Sequence, residues 1–260
     1  MEFSFATIPL LRNELSIVDW LDFMEQQIEK VDADAIILPE YAWGRTPLRE
    51  EDLEEIRERK FNCTLVAGTA VIDQEGKKTN RAIVITDEGK TVTVPKYSPM
   101  HHERERGIKG IFDPQIITTK GGLKLGVVIC ADLWHHSLVA TYVNHGIDAL
   151  MIPTMSVTLP GHGHYARTLW YSLSLTRSRE FVLPIAVSDH PGGKNITTGF
   201  ASAIVDPSKK SADLQSIEDF LDLPNEKGMA MATIDFDRIR EYREYRIKEG
   251  LISQRLEEII

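Results

Sequence analysis

Residues 124–136 read KLGVVICADLWHH, and this stretch decides how the rest of the chain is interpreted. The run 125–129 is almost wholly apolar, which is typical of a strand buried on both faces. It ends at Cys130, and an aspartate and two histidines follow within six residues. Cysteine is often buried as a small apolar residue, so one interpretation makes Cys130 the last residue of a packed strand. The other makes it a nucleophile, because layered α/β folds gather their ligands at strand ends.

Segments with strand and helix patterns alternate along the rest of the chain. Apolar side chains at helical spacing, from Ile17 to Ile28 through Leu21 and Met24, predict one buried helix face. The dipeptides Glu75-Gly76 and Glu88-Gly89 separate three strand-like runs and predict antiparallel turns. The predicted strands are 3–10, 34–40, 63–73, 78–87, 89–96, 124–130, 148–156, 182–189, 198–207 and 228–235; the predicted helices are 16–31, 49–62, 137–146, 164–181 and a tail from Asp237, with Ile239, Tyr242, Leu251, Leu256 and Ile260 as candidate anchors.

This alternation predicts a layered α/β fold in which helices cover strands of both orientations. The chain contains no convincing linker, low-complexity tract or internal repeat, so we predict one domain over residues 1–260. A hydrophobic content of 42% and a charged content of 27% are typical of a soluble globular protein.

The charge balance bears on partners and location. The chain carries 39 Asp+Glu against 30 Lys+Arg, a formal net charge of -9, which disfavours binding to nucleic acid or to anionic membranes. The N-terminal stretch lacks the pattern of a signal peptide, and no apolar run approaches the roughly 20 residues that span a bilayer. Two cysteines make a disulfide framework improbable, so a reducing cytoplasm is the expected location.

The spacing of the histidines and glycines bears on metal and cofactor binding. The pairs His101-His102 and His135-His136 lack the i, i+4 spacing of zinc ligands on a helix, so we expect no metal site. The glycine-containing stretch HPGGKN at 190–195 lacks the spacing of a Walker or Rossmann motif, so we expect no cofactor.

Three predicted strands end in side chains that suit one reaction, namely Glu40, Lys96 and Cys130. Each has an ordinary interpretation: a surface carboxylate, a lysine whose ammonium stays in water, and a packed thiol. As a set they suit covalent hydrolysis, because a thiol is mostly protonated at neutral pH and needs a base such as Glu40. The oxyanion formed when the thiol attacks a carbonyl or nitrile carbon needs positive partners, which Lys96 and the backbone N–H of Ala131 can supply.

The ordered set LPE (38–40), a lysine after a short strand, and GVVICADL (126–133) strongly resembles the nitrilase superfamily of carbon–nitrogen hydrolases. The Glu-Lys-Cys triad of that family falls on Glu40, Lys96 and Cys130, and further similar segments extend over nearly the whole chain. The resemblance implies a single carbon–nitrogen hydrolase domain, a four-layer α-β-β-α sandwich, and a homodimer or higher homo-oligomer. It also implies a second glutamate after the lysine, for which spacing favours Glu103 over Glu105.

The resemblance implies hydrolysis of a small amide or N-carbamoyl compound through a cysteine thioester, with release of ammonia. Trp134, with His102 and His135, is a candidate substrate contact, whereas Asp132 is expected to be a structural hydrogen-bond acceptor. Two alternatives remain open: nitrile hydrolysis by the same triad, and a catalytically silent relative that binds a small molecule. A redox thiol pair is disfavoured because Cys63 lies within an apolar strand-like run.

Overall fold

The computed structural model describes residues 1–209 and 216–252. In chain order its elements are β1 (Glu2–Thr7), α1 (Ile17–Ile28), β2 (Ala35–Ile37), α2 (Glu50–Arg57), β3 (Thr64–Gln74), β4 (Lys77–Ile85), β5 (Thr91–Pro95), α3 (His101–Glu105), β6 (Ile116–Thr118), β7 (Lys124–Val127), a 3₁₀ turn (Cys130–Trp134), α4 (His136–Asn144), β8 (Ala149–Thr154), β9 (Val157–Thr158), α5 (Gly163–Phe181), β10 (Ile185–Asp189), β11 (Thr197–Thr198), β12 (Ala203–Val205), a second 3₁₀ turn (Ile217–Phe220), β13 (Leu221–Asp222), β14 (Ala230–Asp235) and α6 (Phe236–Lys248).

Two six-stranded sheets form the centre of the molecule. Their strand orders are β14-β1-β2-β3-β4-β5 and β13-β12-β10-β8-β7-β6. In each sheet the middle pairs are parallel, as in β1–β2 and β8–β10, and the outer pairs are antiparallel. The two antiparallel turns predicted at Gly76 and Gly89 are confirmed, since β3, β4 and β5 pair antiparallel and both glycines have positive φ.

Successive side chains of the first sheet point into two different core regions, as the period of a strand requires. In β2, Ala35 and Ile37 pack toward the second sheet, together with residues such as Val127 of β7. The intervening Ile36 packs on the opposite side with Leu21 of α1. One face of the first sheet therefore meets the second sheet, and the other face is covered by α1 and α2.

Helices α4 and α5 cover the outer face of the second sheet. Val139 of α4 and Phe181 of α5 are both buried in the same core region as the strands of that sheet. The order of layers is helix, sheet, sheet, helix, so the four-layer α-β-β-α sandwich expected from the sequence is confirmed. Within the described residues, no helix is long and apolar enough to cross a bilayer.

The predicted elements differ from the structure at several boundaries. Strand β7 ends at Val127, three residues before Cys130, because the chain leaves the sheet to enter the 3₁₀ turn. In the tail, Ile239 is buried and Tyr242 is half-buried, but the expectation that Leu251 anchors the tail is wrong. Leu251 is exposed and directly follows Gly250. The left-handed backbone of Gly250, with φ +69°, turns the chain away from the axis of α6, which ends at Lys248. The other two candidate anchors, Leu256 and Ile260, lie outside the described residues.

Candidate active site

A cavity of about 210 Å³ opens where the segments after β2, β5 and β7 meet. It contains the predicted reactive side chains, and much of its wall is apolar. The lining residues are Glu40, Tyr41, Lys96, Met100, His102, Glu103, Cys130, Ala131, Trp134, Met155, Ser156, Val157, Thr158, Tyr165, Ala166, Leu169 and Trp170.

The backbone ties the segments carrying Glu40 and Lys96 to neighbouring strands. The Glu40 N–H donates to the Thr154 carbonyl at 3.2 Å, which links the end of β2 in the first sheet to the end of β8 in the second. The Lys96 N–H donates to the Asn80 carbonyl at 2.8 Å and so extends the β4–β5 pairing by one residue. Both side chains are thereby held at the same end of the sandwich.

Lys96 is held between two carboxylates. Its Nζ lies 2.7 Å from Glu40 Oε1 and 2.7 Å from Glu103 Oε2, and its side chain is 1% exposed. Asn80 Nδ2 donates to Oε1 of both glutamates, at 3.0 and 2.9 Å. The Tyr41 hydroxyl donates to Glu103 Oε1 at 2.6 Å. Every one of these groups is buried, so the interactions act at full strength in a low dielectric.

The surroundings push the pKa values of the two glutamates in opposite directions. Burial raises the pKa of Glu40, and it outweighs the attraction of Lys96. Burial also acts to raise the pKa of Glu103, but Lys96, Tyr41 and the Met100 N–H hold it below its usual value. Burial acts to lower the pKa of Lys96, but the surrounding anions act more strongly to raise it. Its pKa is therefore well above the usual value, and the ammonium stays charged. Glu103 is therefore the permanent anion of the set, and Glu40 is the carboxylate that can accept a proton.

Cys130 begins the 3₁₀ turn with a left-handed backbone, φ +47°, a conformation that is strained for a residue with a Cβ. Its Sγ lies 3.8 Å from the Met155 carbonyl oxygen and is buried. Burial and the nearby Glu40 carboxylate raise the pKa of the thiol, although Lys96 acts to lower it. The resting group is thus a neutral thiol, which needs a base before it can attack.

Asp132 joins the 3₁₀ turn Cys130–Trp134, hereafter the cysteine turn, to the segment that follows Lys96. Its carboxylate accepts the N–H of Ile129 at 3.2 Å, of Tyr97 at 3.1 Å and of Ser98 at 2.7 Å. One buried carboxylate thus accepts from Ile129, which precedes Cys130, and from Tyr97 and Ser98, which follow Lys96. This is the structural role expected for Asp132.

The structure separates the two candidate second glutamates. Glu103 contacts Lys96, whereas Glu105 is 64% exposed and pairs with His101 on the surface at 3.2 Å. Ala131 lies in the cavity wall beside Cys130, and Trp134 lines the mouth with 48% of its surface exposed.

The two histidines proposed as substrate contacts have different positions. His102 lines the cavity. His135 is not among the lining residues, and its ring packs edge-on against Tyr97 with centroids 5.3 Å apart.

Sequence reasoning missed Asn80 and the hydroxyl contact of Tyr41. Asn80 is a polar residue fully buried on β4, in a run otherwise typical of an ordinary strand. A buried asparagine facing inward is the signal that could have identified it, but only once the strand pairing was known.

The described residues also bear on metal-binding side chains and on the second cysteine. Among the described residues, no group of three or more His, Cys, Asp or Glu side chains is placed to hold a metal ion. Both cysteines are free, and Cys63 packs in the core region between the first sheet and α1–α2, away from the cavity. Burial raises the pKa of Cys63 to about 12.

Solved structures share this fold. Nit3 of Saccharomyces cerevisiae, a member of branch 10 of the nitrilase superfamily, matches with a TM-score of 0.73 and 18% identity over 94% of each chain. The CN-hydrolase superfamily protein XC1258 of Xanthomonas campestris matches with a TM-score of 0.74 and 16% identity over 94% of this chain and 95% of its own. An amidase of Nesterenkonia sp. matches with a TM-score of 0.69 and 16% identity over 95% and 96%.

At the level of sequence, a family model matches the chain and individual curated proteins do not. A comparison with curated proteins finds no match. The family model described as carbon-nitrogen hydrolase matches residues 16–244, which is most of the chain and includes Glu40, Lys96 and Cys130. The chain belongs to the carbon–nitrogen hydrolase family.

Proposed function

We propose that the protein hydrolyses the carbon–nitrogen bond of a small amide or N-carbamoyl compound through a thioester on Cys130, with release of ammonia. The observation that carries this is the buried ammonium of Lys96, held 2.7 Å from two carboxylates beside a buried thiol in one cavity. Such a set supplies a base, a nucleophile and a fixed positive charge together.

In the first half of the reaction, Glu40 takes the proton of the Cys130 thiol as Sγ bonds to the carbonyl carbon. The carbonyl electrons move to the oxygen, and the Lys96 ammonium, with the Ala131 N–H, stabilises that oxyanion. Glu40 then gives its proton to the nitrogen as the carbon–nitrogen bond breaks. Ammonia leaves, and the acyl group stays on sulfur as a thioester.

In the second half, Glu40 takes a proton from the water that attacks the thioester. The carbon–sulfur bond breaks, the acid product leaves, and the proton returns to the sulfur. Glu103 touches neither water nor substrate in this scheme. Its role is to hold Lys96 in place, which its lowered pKa supports.

A nitrile could be attacked by the same three groups, and a silent relative would bind a ligand without turnover. The Nesterenkonia structure is described as an amidase, so primary amides are the first compounds to test. The homo-oligomer and the cytoplasmic location expected from the sequence stay predictions.

The proposal is tested by capturing the acyl-enzyme. The protein is mixed with a primary amide, quenched in acid, and its peptides are analysed by mass spectrometry while ammonia release is followed in parallel. We expect one acyl group on Cys130 and none on Cys63, and no ammonia from Cys130→Ala with its unfolding midpoint retained. Lys96→Met should lower kcat by about 100-fold or more, as for other oxyanion partners. Binding of amides without acylation or ammonia would favour the silent relative.

A further inference from the structure

The walls of the cavity point to the chemistry of the group carried by the reacting carbonyl. We infer that this group is uncharged and apolar, a short alkyl or aryl chain, and that amides bearing a carboxylate or an ammonium are poor substrates. This inference rests on the proposed function and names its substrate class.

Most of the lining outside the charged set is apolar, and its outer part is open to solvent, since Trp134, Val157 and Tyr165 are 48%, 59% and 66% exposed. Trp134 comes from the cysteine turn, Val157 from β9, and Tyr165, Leu169 and Trp170 from α5. A cavity of about 210 Å³ bounded in this way favours an acyl chain of a few carbons, because each buried methylene contributes to binding.

Charged groups are concentrated at the reacting end. Of the lining residues, all of which lie in the described part of the chain, only Glu40, Lys96 and Glu103 carry charge at neutral pH. His102 is neutral there, since burial lowers its pKa. Lys96 is paired with two carboxylates and faces the reacting carbonyl oxygen in the proposed mechanism, so it is not available to a carboxylate at the far end of the acyl chain, and the set as a whole repels one.

A carboxylate at the far end of the acyl chain would therefore lose part of its hydration against apolar side chains and find no free cation among the lining residues, which is unfavourable. A remote ammonium would meet the same apolar surroundings, although the aromatic rings make it the less disfavoured of the two charges.

Behind the lining, Arg177 donates from Nη2 to the Trp134 carbonyl at 3.4 Å, and Arg45 lies close to Tyr41 and Met155. The Arg45 guanidinium sits 5.5 Å from the centroid of the Tyr41 ring and 3.9 Å from Met155 Sδ. Neither arginine is among the residues that line the cavity.

The test compares amides of matched shape by ammonia release at pH 7. 4-Methylpentanamide is paired with succinamate, whose carboxylate replaces the isopropyl group, and pentanamide is paired with 4-aminobutanamide, whose ammonium replaces the terminal methyl group. We expect kcat/KM to be about 100-fold higher for 4-methylpentanamide than for succinamate, and about tenfold higher for pentanamide than for 4-aminobutanamide. From acetamide to pentanamide, kcat/KM should rise by up to about fourfold for each methylene.

Variants test whether the apolar wall determines the preference for uncharged amides. Leu169→Arg places a cation beside the acyl chain and should raise the succinamate to 4-methylpentanamide ratio by about tenfold or more, whereas the matched Leu169→Met should leave it unchanged. Arg45→Ala should not alter the ratio in either direction.

The outcomes separate the inference from the proposed function. Acylation of Cys130 with equal turnover of succinamate and its neutral partner overturns the inference and leaves the hydrolase. A drop in succinamate turnover in Arg45→Ala overturns it too, since that arginine would then be the partner of the carboxylate. If no amide acylates Cys130 or releases ammonia, the proposed function fails and the inference fails with it.

Discussion

Two glutamates share one lysine in the cavity, and their surroundings assign them different work. Both Glu40 and Glu103 lie 2.7 Å from Lys96 Nζ, so distance alone does not distinguish them. The pKa of Glu40 is raised by burial, and that of Glu103 is lowered by its hydrogen bonds and by Lys96. Pairs of carboxyl groups separated in this way divide proton transfer from charge stabilisation.

The first prediction concerns pH. Activity needs ionised Glu40, so kcat/KM should fall as pH drops through the pKa of Glu40, which burial raises above its usual value. Glu103→Gln removes an anion that raises the pKa of Glu40. The acid limb of the profile, where kcat/KM falls with falling pH, should therefore move to lower pH. The same change should lower kcat by up to about 100-fold, because Lys96 loses its position. Profiles of kcat/KM against pH measure both effects.

Glu105→Gln is the matched control for this pH prediction. The side chain is exposed and pairs with His101 on the surface, so both the limb and kcat should stay as in the wild type. An acid limb that does not move in Glu103→Gln would mean that it reports a group other than Glu40.

The second prediction has the opposite sign. Asn80 places one amide N–H₂ between the two carboxylates, and its carbonyl oxygen has no partner among the described residues. Asn80→Leu keeps the branched shape of the side chain and removes those donors together with the unpartnered carbonyl oxygen, so repulsion between Glu40 and Glu103 should raise the pKa of Glu40 and move the acid limb to higher pH. If Asn80 only fills space, the same profile will overlay that of the wild type.

At the scale of elements, the sequence predicts the layered α/β fold, because local patterns determine it. The helix face of α1, the glycine turns of β3–β5 and the buried strand β8 all follow from spacing. The boundaries near the site follow from tertiary contacts instead. Cys130 leaves the sheet early because Asp132 draws three backbone N–H groups onto one carboxylate.

The candidate site is predictable only in part for the same reason. Glu40, Lys96 and Cys130 follow the ends of β2, β5 and β7 within three residues, and a sequence can reveal such positions. Asn80 reaches the site through the pairing of β4 with β5, and Tyr41 through a left-handed backbone at φ +58°. Neither the partner of a strand nor a strained dihedral angle is visible in local spacing.

The third prediction tests a close approach between elements. Gly68 interrupts the register of β3 with φ +75°, and a Cβ there would lie 2.4 Å from the Pro39 carbonyl oxygen and 2.4 Å from Ala42 Cβ. These residues flank Glu40, so Gly68→Ala should displace that segment. We expect a loss of about 2–5 kcal/mol in the free energy of unfolding, together with a fall in kcat of tenfold or more.

Gly76→Ala is the matched control. Gly76 has a similar φ of +81° but has nothing within 4 Å of its Cβ position. It should lose only about 1–2 kcal/mol of stability and keep its kcat. Denaturant titration and steady-state rates on both variants separate the cost of the dihedral angle from the displacement of Glu40, and equal kcat values in the two would contradict the proposed displacement.

At the scale of the molecule, the candidate site depends on how the two sheets pack. Glu40 and Lys96 follow strands of the first sheet, whereas Cys130 follows a strand of the second. A single apolar core region contains side chains of both sheets, and the Glu40 N–H donates across to the end of β8. Base and nucleophile therefore meet only while the sheets stay together.

The last prediction follows from this shared core. Unfolding in urea should remove activity and both sheets in one transition, since neither sheet keeps its inner face buried without the other. Two variants report on the two sides: Trp134→Phe/Trp170→Phe leaves Trp20 and Trp43 near the first sheet, and Trp20→Phe/Trp43→Phe leaves the pair near the second. In each variant, the midpoints from fluorescence, far-ultraviolet circular dichroism and activity should coincide; in Trp134→Phe/Trp170→Phe, which alters the cavity wall, loss of activity is taken as loss of Cys130 acylation. The fluorescence of Trp20 and Trp43 could instead change only at urea concentrations well above those that abolish activity. That result would mean that the second sheet unfolds on its own, and that the alignment of Glu40 with Cys130 is held by local contacts.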